Sequence, residues 1–314
     1  MKLNHPIIDS PPTQSRSAAR GTAQPAGALA KLGDFFTRQL AVGAPEAPHP
    51  GQPRVGLMKG SPTQYALLLP YAAMTGLAAA SAASGAAGTG SLWKIPAALG
   101  LARLGLMAAD ATSALMHWGP DNYFTAKTPV MGPFVKTFLE HHEPKTMRVG
   151  SNASIPWLTV PFLGVGVAAL LPALATGRKN WALMSFATAF ALTPLGLVAH
   201  AESHKTAKEQ TPTERKVVDG LRSAGLLIPA KAHLQEHHSA KKGHAGGYAV
   251  LTGECNAALD RLGVFRKLEM GIFAATKVMP RCWEDPLVGR EVMEAALGKY
   301  PGLKAEAEKQ LGTV

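Results

Sequence analysis

Long apolar runs, rather than alternating or one-sided patterns, dominate the first two thirds of the chain. They cover residues 63–84, 93–116, 155–176 and 180–199. Each approaches the ~20 apolar residues that an α-helix needs to cross a bilayer. The first, third and fourth contain no Asp, Glu, Lys or Arg. The second carries Arg103 and Asp110 seven apart, with His117 seven further on, so all three face one way along a helix. The links at 85–92 and Gly177-Arg178-Lys179 have room only for turns, which pairs the runs into two hairpins with His117 and His200 closing them on one side. The small residues of 74–91 suit close helix packing. Fold class follows: all-α, an integral membrane four-helix transmembrane bundle with a cytoplasmic helical cap.

Outside the runs the pattern changes. Residues 1–60 are rich in Pro, Ala, Ser and Gly without a sustained apolar period, which predicts a mostly disordered tail. Within it Leu29, Leu32, Phe35, Phe36 and Leu40 recur at helical spacing, as in a short helix at a membrane interface. Residues 61–286 form the expected functional domain, and 287–314 a polar helical tail with Val292, Ala295, Ala296 and Tyr300 at helical spacing.

Charge sharpens the picture. The net charge of +11 suits either anionic lipid or nucleic acid; the apolar runs favour the membrane and exclude nucleic acid as the expected partner. Seventeen of the Lys and Arg residues follow residue 204, whereas the two tight turns hold only Arg178 and Lys179. The positive-inside tendency therefore puts the His117 and His200 ends, and both termini, in the cytoplasm. Cys255 and Cys282 have no neighbour at zinc-ribbon or redox spacing and are expected as free thiols. The N-terminus has no secretory-signal pattern.

Candidate chemistry lies in the histidines. Nine of eleven fall between residues 117 and 244: His117, His141, His142, His200, His204, His233, His237, His238 and His244. His200 and His204, like His233 and His237, are four apart and share a helix face. Imidazole suits zinc, copper, iron and nickel. Catalytic zinc usually takes three protein ligands, so nine histidines are too many for one zinc, and two metals account for them better. Zinc also has no redox chemistry, whereas a non-haem iron pair activates O2. Candidates to orient the rings from a second layer are Asp110, Asp121, Glu140, Asn152, Glu202 and Glu236. Other readings are a hydroxylase on the same centre, a zinc hydrolase using His233, Glu236 and His237 of the H-x-x-E-H pattern, and a bis-histidine haem or structural metal protein.

Motifs in a fixed order carry a resemblance. Asp110-x6-His117-Trp118-x2-Asp121, Glu140-His141-His142 with Pro144 and Asn152 beyond, His200-x3-His204, His233-x3-His237-His238, Tyr248 to Gly253, Phe265 to Glu269 and Pro280-Arg281 are similar to those of the Kua-type lipid desaturases. The resemblance covers roughly residues 65–286. It implies a membrane diiron enzyme that uses O2 and electrons from a separate cytochrome b5-like or ferredoxin-like carrier to desaturate a phospholipid acyl or alkyl chain. It also implies that His117, His141, His142, His200, His204, His233, His237, His238 and His244 ligate two irons. The segment after His142 is shorter than the family spacing, and features of the plasmanylethanolamine and chloroplast branches are mixed, so lipid class is not set by the resemblance.

Overall fold

In the computed structural model the described residues are 62–88, 90–128, 132–141, 155–205, 208, 210–238, 246–298 and 300–311. They belong to one unit, residues 39–314, are all-helical, and contain no strand. The expected tail at 1–60 lies outside them.

A helix occupies each apolar run. α1 spans Pro62–Ala87, α2 Lys94–Asn122 and α4 Ile155–Thr176, with the short α3, Gly132–His141, between the last two. The fourth run is interrupted: α5, Trp181–Phe190, and α6, Leu195–Ser203, are joined by a turn over residues 191–194. Pro194 supplies the reason, because it has no N–H to continue the helical ladder and crowds the preceding turn. Carbonyls freed by the break are taken up locally. Thr193 Oγ1 donates to Phe190 O at 2.6 Å, and Tyr71 reaches across from α1 to donate to Ala191 O. Among the described residues, one run, Trp181–Ser203, is long and apolar enough to cross a membrane, and Phe162–Thr176 is a shorter apolar helix.

Small side chains set how closely the helices approach. Ala78, Ala82, Leu170, Ala173, Met184, Ala187 and Ala191 form a buried core shared by α1, α4 and the α5 segment. α2 crosses α5 where Gly105 lies against the Phe186 carbonyl, so any Cβ at 105 overlaps that backbone. Gly105→Ala is therefore expected to destabilise by about 1–3 kcal/mol, the usual cost of overpacking, read as a lower unfolding midpoint in detergent; an unchanged midpoint would contradict this crossing. The outward faces are apolar: Leu69 and Leu77 on α1, Leu99, Leu104 and Leu115 on α2, and Leu171 on α4 are all exposed. A surface of that kind marks an interface or a membrane rather than ordinary solvated surface.

The second half of the chain builds on the ends of these helices. α7, Pro212–Ser223, starts with a capping box in which Thr211 Oγ1 accepts from Glu214 N while the Glu214 carboxylate accepts from Thr211 N. α8 covers Ala230–Glu236, α9 Asn256–Arg261 and α10 Val264–Thr276. α11, Pro286–Glu291, a π turn over Val292–Ala296, and α12, Pro301–Leu311, follow. Val288, Val292, Leu297 and Ala307 from this last part close a core with Phe273, Cys282 and Trp283. Cys255 and Cys282 are free thiols, as expected.

Candidate metal centre

Three one-turn pairs, each at the C-terminal end of a different helix, build the site. His117 and Asp121 belong to α2, His200 and His204 to the end of α6, and His233 and His237 to α8, with His238 following as the chain leaves the helix. Four-residue spacing puts each pair on one face. The ends of the three helices then bring the six histidines together. Ring centroids are 4.6 Å apart for His117–His200, 4.4 Å for His117–His237, 4.8 Å for His200–His233, 4.7 Å for His204–His238 and 4.8 Å for His237–His238.

The donors fall into two adjoining groups, His200, His204, His233 and His238 in one, and His117, Asp121 and His237 in the other; within each the ligand atoms lie within 4.8 Å of one another. In the first, His233 Nε2 stands 3.1 Å from His204 Nε2 and 3.2 Å from His238 Nε2. Burial, with neighbouring His200, His237, His204 and His238 adding to it, pushes the His233 pKa well below the ordinary histidine value, so the ring is neutral. Three ring nitrogens meeting at one point are satisfied by a cation that takes every lone pair; a single shared proton serves only one contact. In the second group Asp121 Oδ2 is 3.2 Å from His117 Nε2 and 3.3 Å from His237 Nε2. His117, His233 and His237 are fully buried. Neutral imidazoles plus one carboxylate are a donor set for a divalent transition metal, so the residues present fit a pair of metal ions.

Backbone carbonyls fix the second group's rings. His117 Nδ1 lies 3.1 Å from Tyr248 O, and His237 Nδ1 2.9 Å from Gly246 O. A carbonyl only accepts, so each Nδ1 carries a proton, and in the neutral ring each Nε2 presents its lone pair towards Asp121. Phe138 of α3 covers the site edge-on against His117 and also packs near His200.

The other expected residues fall in different places. The side chains of His141 and Glu140, and all of His142, His244 and Asn152, lie outside the described residues. Asp121, read as a support behind the rings, stands between their Nε2 atoms. Asp110 touches no ring in the described contacts; its carboxylate accepts the backbone N–H groups of Thr252, Gly253 and Cys255. Arg103, on the same face of α2, pairs with Glu254. Glu202 is buried but engaged by Lys205 Nζ at 2.6 Å and Gln210 Nε2 at 2.7 Å. Glu236 packs its backbone and Cβ against Gly247.

Two residues of the motifs quoted above, which carried no assigned role in the sequence, also shape the site. Glu269, buried, accepts from Trp118 Nε1 at 3.2 Å and Trp283 Nε1 at 2.8 Å, and pairs with Arg266. Arg281 caps the end of α2: Nη1 donates to the carbonyls of Pro120, Asp121 and Tyr123 at 2.9–3.1 Å, and Nη2 to Phe124 O. A cation at a helix C-terminus is favoured by the helix dipole, and here it holds the turn that carries Asp121.

Among the described residues, helices with exposed apolar faces, one run long and apolar enough to cross a membrane, and a buried cluster of histidines at the helix ends define the class as a candidate metalloprotein. The chain belongs to the lipid desaturase family, whose domain matches residues 106–283. It is 30% identical to the chloroplastic fatty acid desaturase 4-like 2 of Arabidopsis thaliana, over 62% of this chain and 66% of that one. It is 28% identical to the plasmanylethanolamine desaturase of Myxococcus xanthus over 71% of this chain and 79% of that one, and 27% identical to plasmanylethanolamine desaturase 1 of Mus musculus over 56% and 65%. The chain thus spans slightly less than two thirds of the length of the chloroplast relative. No solved structure matches it.

Proposed function

We propose that this chain is a membrane-embedded non-haem diiron lipid desaturase, which uses O2 and two electrons from an external carrier to place a double bond in a phospholipid acyl or alkyl chain. The observation that carries the reading is the pair of adjoining donor groups, one of four imidazoles and one of two imidazoles with a carboxylate, in a chain of the lipid desaturase family. When bound, an iron pair supplies the O2-activating chemistry that no side chain offers. The chain's own residues hold the metals, fix which ring nitrogen faces them, and keep the site dry. His117, His200, His204, His233, His237 and His238 are the proposed ligands, joined by His141, His142 and His244.

The reaction balances as follows. Reduction of O2 to two waters takes four electrons and four protons. Two of each leave the –CH2–CH2– unit as it becomes –CH=CH–, two electrons come from a cytochrome b5-like or ferredoxin-like carrier, and two protons come from solvent. The exposed leucines of α1, α2 and α4 support a bundle of four membrane crossings, and the distribution of Lys and Arg supports a cytoplasmic site and termini. In this reading residues 61–286 form the desaturase domain, between an N-terminal tail and a C-terminal helical tail. A zinc hydrolase built on His233, Glu236 and His237 fits less well, because His233 and His237 lie in different donor groups.

Lipidomics of a host with and without the gene, alongside metal analysis of the purified protein, tests the proposal. A new species lighter by two hydrogens, formed only with O2 and a reductant, and about two irons per chain are expected. A product heavier by one oxygen would make it a hydroxylase. Zinc with turnover in the absence of O2 would sink it.

A further inference from the structure

Residues 246–255 run as a strap without helix or strand, and Gly246 to Thr252 are all buried. A buried irregular segment must pair its backbone groups one by one, and the partners here are unusual in where they come from. Tyr248 O and Gly246 O take the Nδ1–H groups of His117 and His237. Ala249 exchanges two hydrogen bonds with the Asn256 amide, its N at 2.7 Å from Oδ1 and its O at 3.0 Å from Nδ2. Val250 N donates to Ser113 Oγ at 3.1 Å, and Leu251 O accepts from Ile228 N at 2.7 Å. Asp110 ends the series, with Oδ1 accepting from Thr252 N at 2.8 Å and Gly253 N at 3.1 Å, and Oδ2 from Cys255 N at 3.0 Å.

These contacts share a register. Along one face of α2, His117 meets residue 248, Ser113 meets 250, Asp110 meets 252, 253 and 255, and Arg103 meets Glu254. The strap therefore lies antiparallel along the helix. Its position lengthwise is set at the Asp110 end, where a fully buried carboxylate receives three N–H groups, the kind of backbone concavity that binds an anion. The other end is where the strap's carbonyls meet the two rings that share Asp121. Sliding or loosening the strap moves the acceptors of both Nδ1–H groups together, one ring belonging to α2 and the other to α8.

We propose that Asp110 is a positioning residue for the metal centre: it clamps the 246–255 strap along α2, so that the Gly246 and Tyr248 carbonyls hold His117 and His237 with Nε2 presented to one of the two metals. The inference rests on the metal-centre reading of the proposed function. It assigns Asp110 no contact with metal or substrate. Its action is selective, since the two strap carbonyls described as bonded to a ring, those of Gly246 and Tyr248, both meet rings of the His117–Asp121–His237 group.

Asp110→Asn is the direct test, because the amide keeps the volume while replacing one acceptor with a donor aimed at backbone N–H. Apo full-length wild type and variant in lipid nanodiscs are titrated with Co(II) against a chromophoric chelator and followed by the cobalt d–d absorption. In the variant, one of the two cobalt-binding steps is expected to weaken by ~10–100-fold, the range typical of losing a ring's outer partner, with a changed d–d spectrum for that step alone. The other step stays as in wild type. Ser113→Ala, which removes only the Val250 acceptor, is expected to weaken the same step by less, and keeps the test available if Asp110→Asn fails to fold. Unchanged affinities and spectra in a folded Asp110→Asn, or equal loss of both steps in either variant, would overturn the proposal. So would an unchanged titration for Ser113→Ala when it is the only folded variant. A wild type that binds two cobalt ions but yields no desaturated lipid after iron loading would remove the functional reading and leave this test standing. A wild type that binds none removes both.

Discussion

His233→Ala is expected to abolish desaturation and to remove one metal from the protein. Two other imidazole nitrogens converge on His233 Nε2, at 3.1 and 3.2 Å, and its ring is also neighbour to His200 and His237. Together with His204, it neighbours all three other rings of the four-imidazole group. Loss of an outer partner of a ligand costs 10–100-fold, so loss of the central ligand should exceed ~100-fold in product formation. Stability should fall as well, because a metal bound only by the folded state adds to stability by mass action. The measurements are lipid mass spectrometry under O2 with reductant, iron per chain, and the shift in unfolding midpoint on adding metal. Wild-type product from a folded His233→Ala chain would remove this group from the centre. A variant that loses the product but keeps both metals would make His233 a residue of substrate placement instead.

What the chain disclosed in advance was periodicity, and what it concealed was direction. The apolar runs gave four helical segments, and the four-residue spacings of His200 with His204 and His233 with His237 marked two helix faces. The His117–Asp121 spacing is the same, but a carboxylate near a histidine reads equally well as a support or as a donor, and only the three-dimensional arrangement of α2 and α8 separates these. Likewise, the seven-residue steps from Arg103 to Asp110 to His117 correctly put the three on one face. Their partners, Glu254, Thr252 to Cys255 and Tyr248, are more than a hundred residues away in sequence, and no local pattern pairs an acid with the N–H groups of a distant loop. Pro194 was visible in the fourth run, yet an apolar stretch with a single proline still reads as continuous. The break matters, because α6 is the element that carries His200 and His204. Glu269 stood in a motif, but its role was hidden for another reason: an acid on an amphipathic helix looks solvated until two buried indole N–H groups and Arg266 are seen to need it.

Asp121→Asn is expected to empty the position shared by His117 and His237 while leaving the four-imidazole position loaded. The two rings donate their Nδ1–H groups to Tyr248 O and Gly246 O, so in the neutral rings both Nε2 lone pairs point at the carboxylate oxygen 3.2 and 3.3 Å away. Lone pairs facing an anion at that separation repel unless positive charge lies among them. Two imidazolium rings supply it at the cost of burying two cations; one divalent metal supplies it with all three donors used. Two histidines and one carboxylate with open positions also form the donor set of O2-activating non-haem iron enzymes. The Asn side chain matches the shape but brings no charge, so binding at this position should weaken by more than the ~10–100-fold of an outer-partner loss. Mössbauer spectra of iron-57-loaded protein should show two unlike doublets of equal area in wild type and one in the variant, with Asp121→Glu restoring part of the second. If Asp121→Asn keeps both doublets and binds within that outer-partner range, the carboxylate is an ion-pair partner of protonated rings, and the second iron must then draw its ligands from histidines elsewhere in the chain.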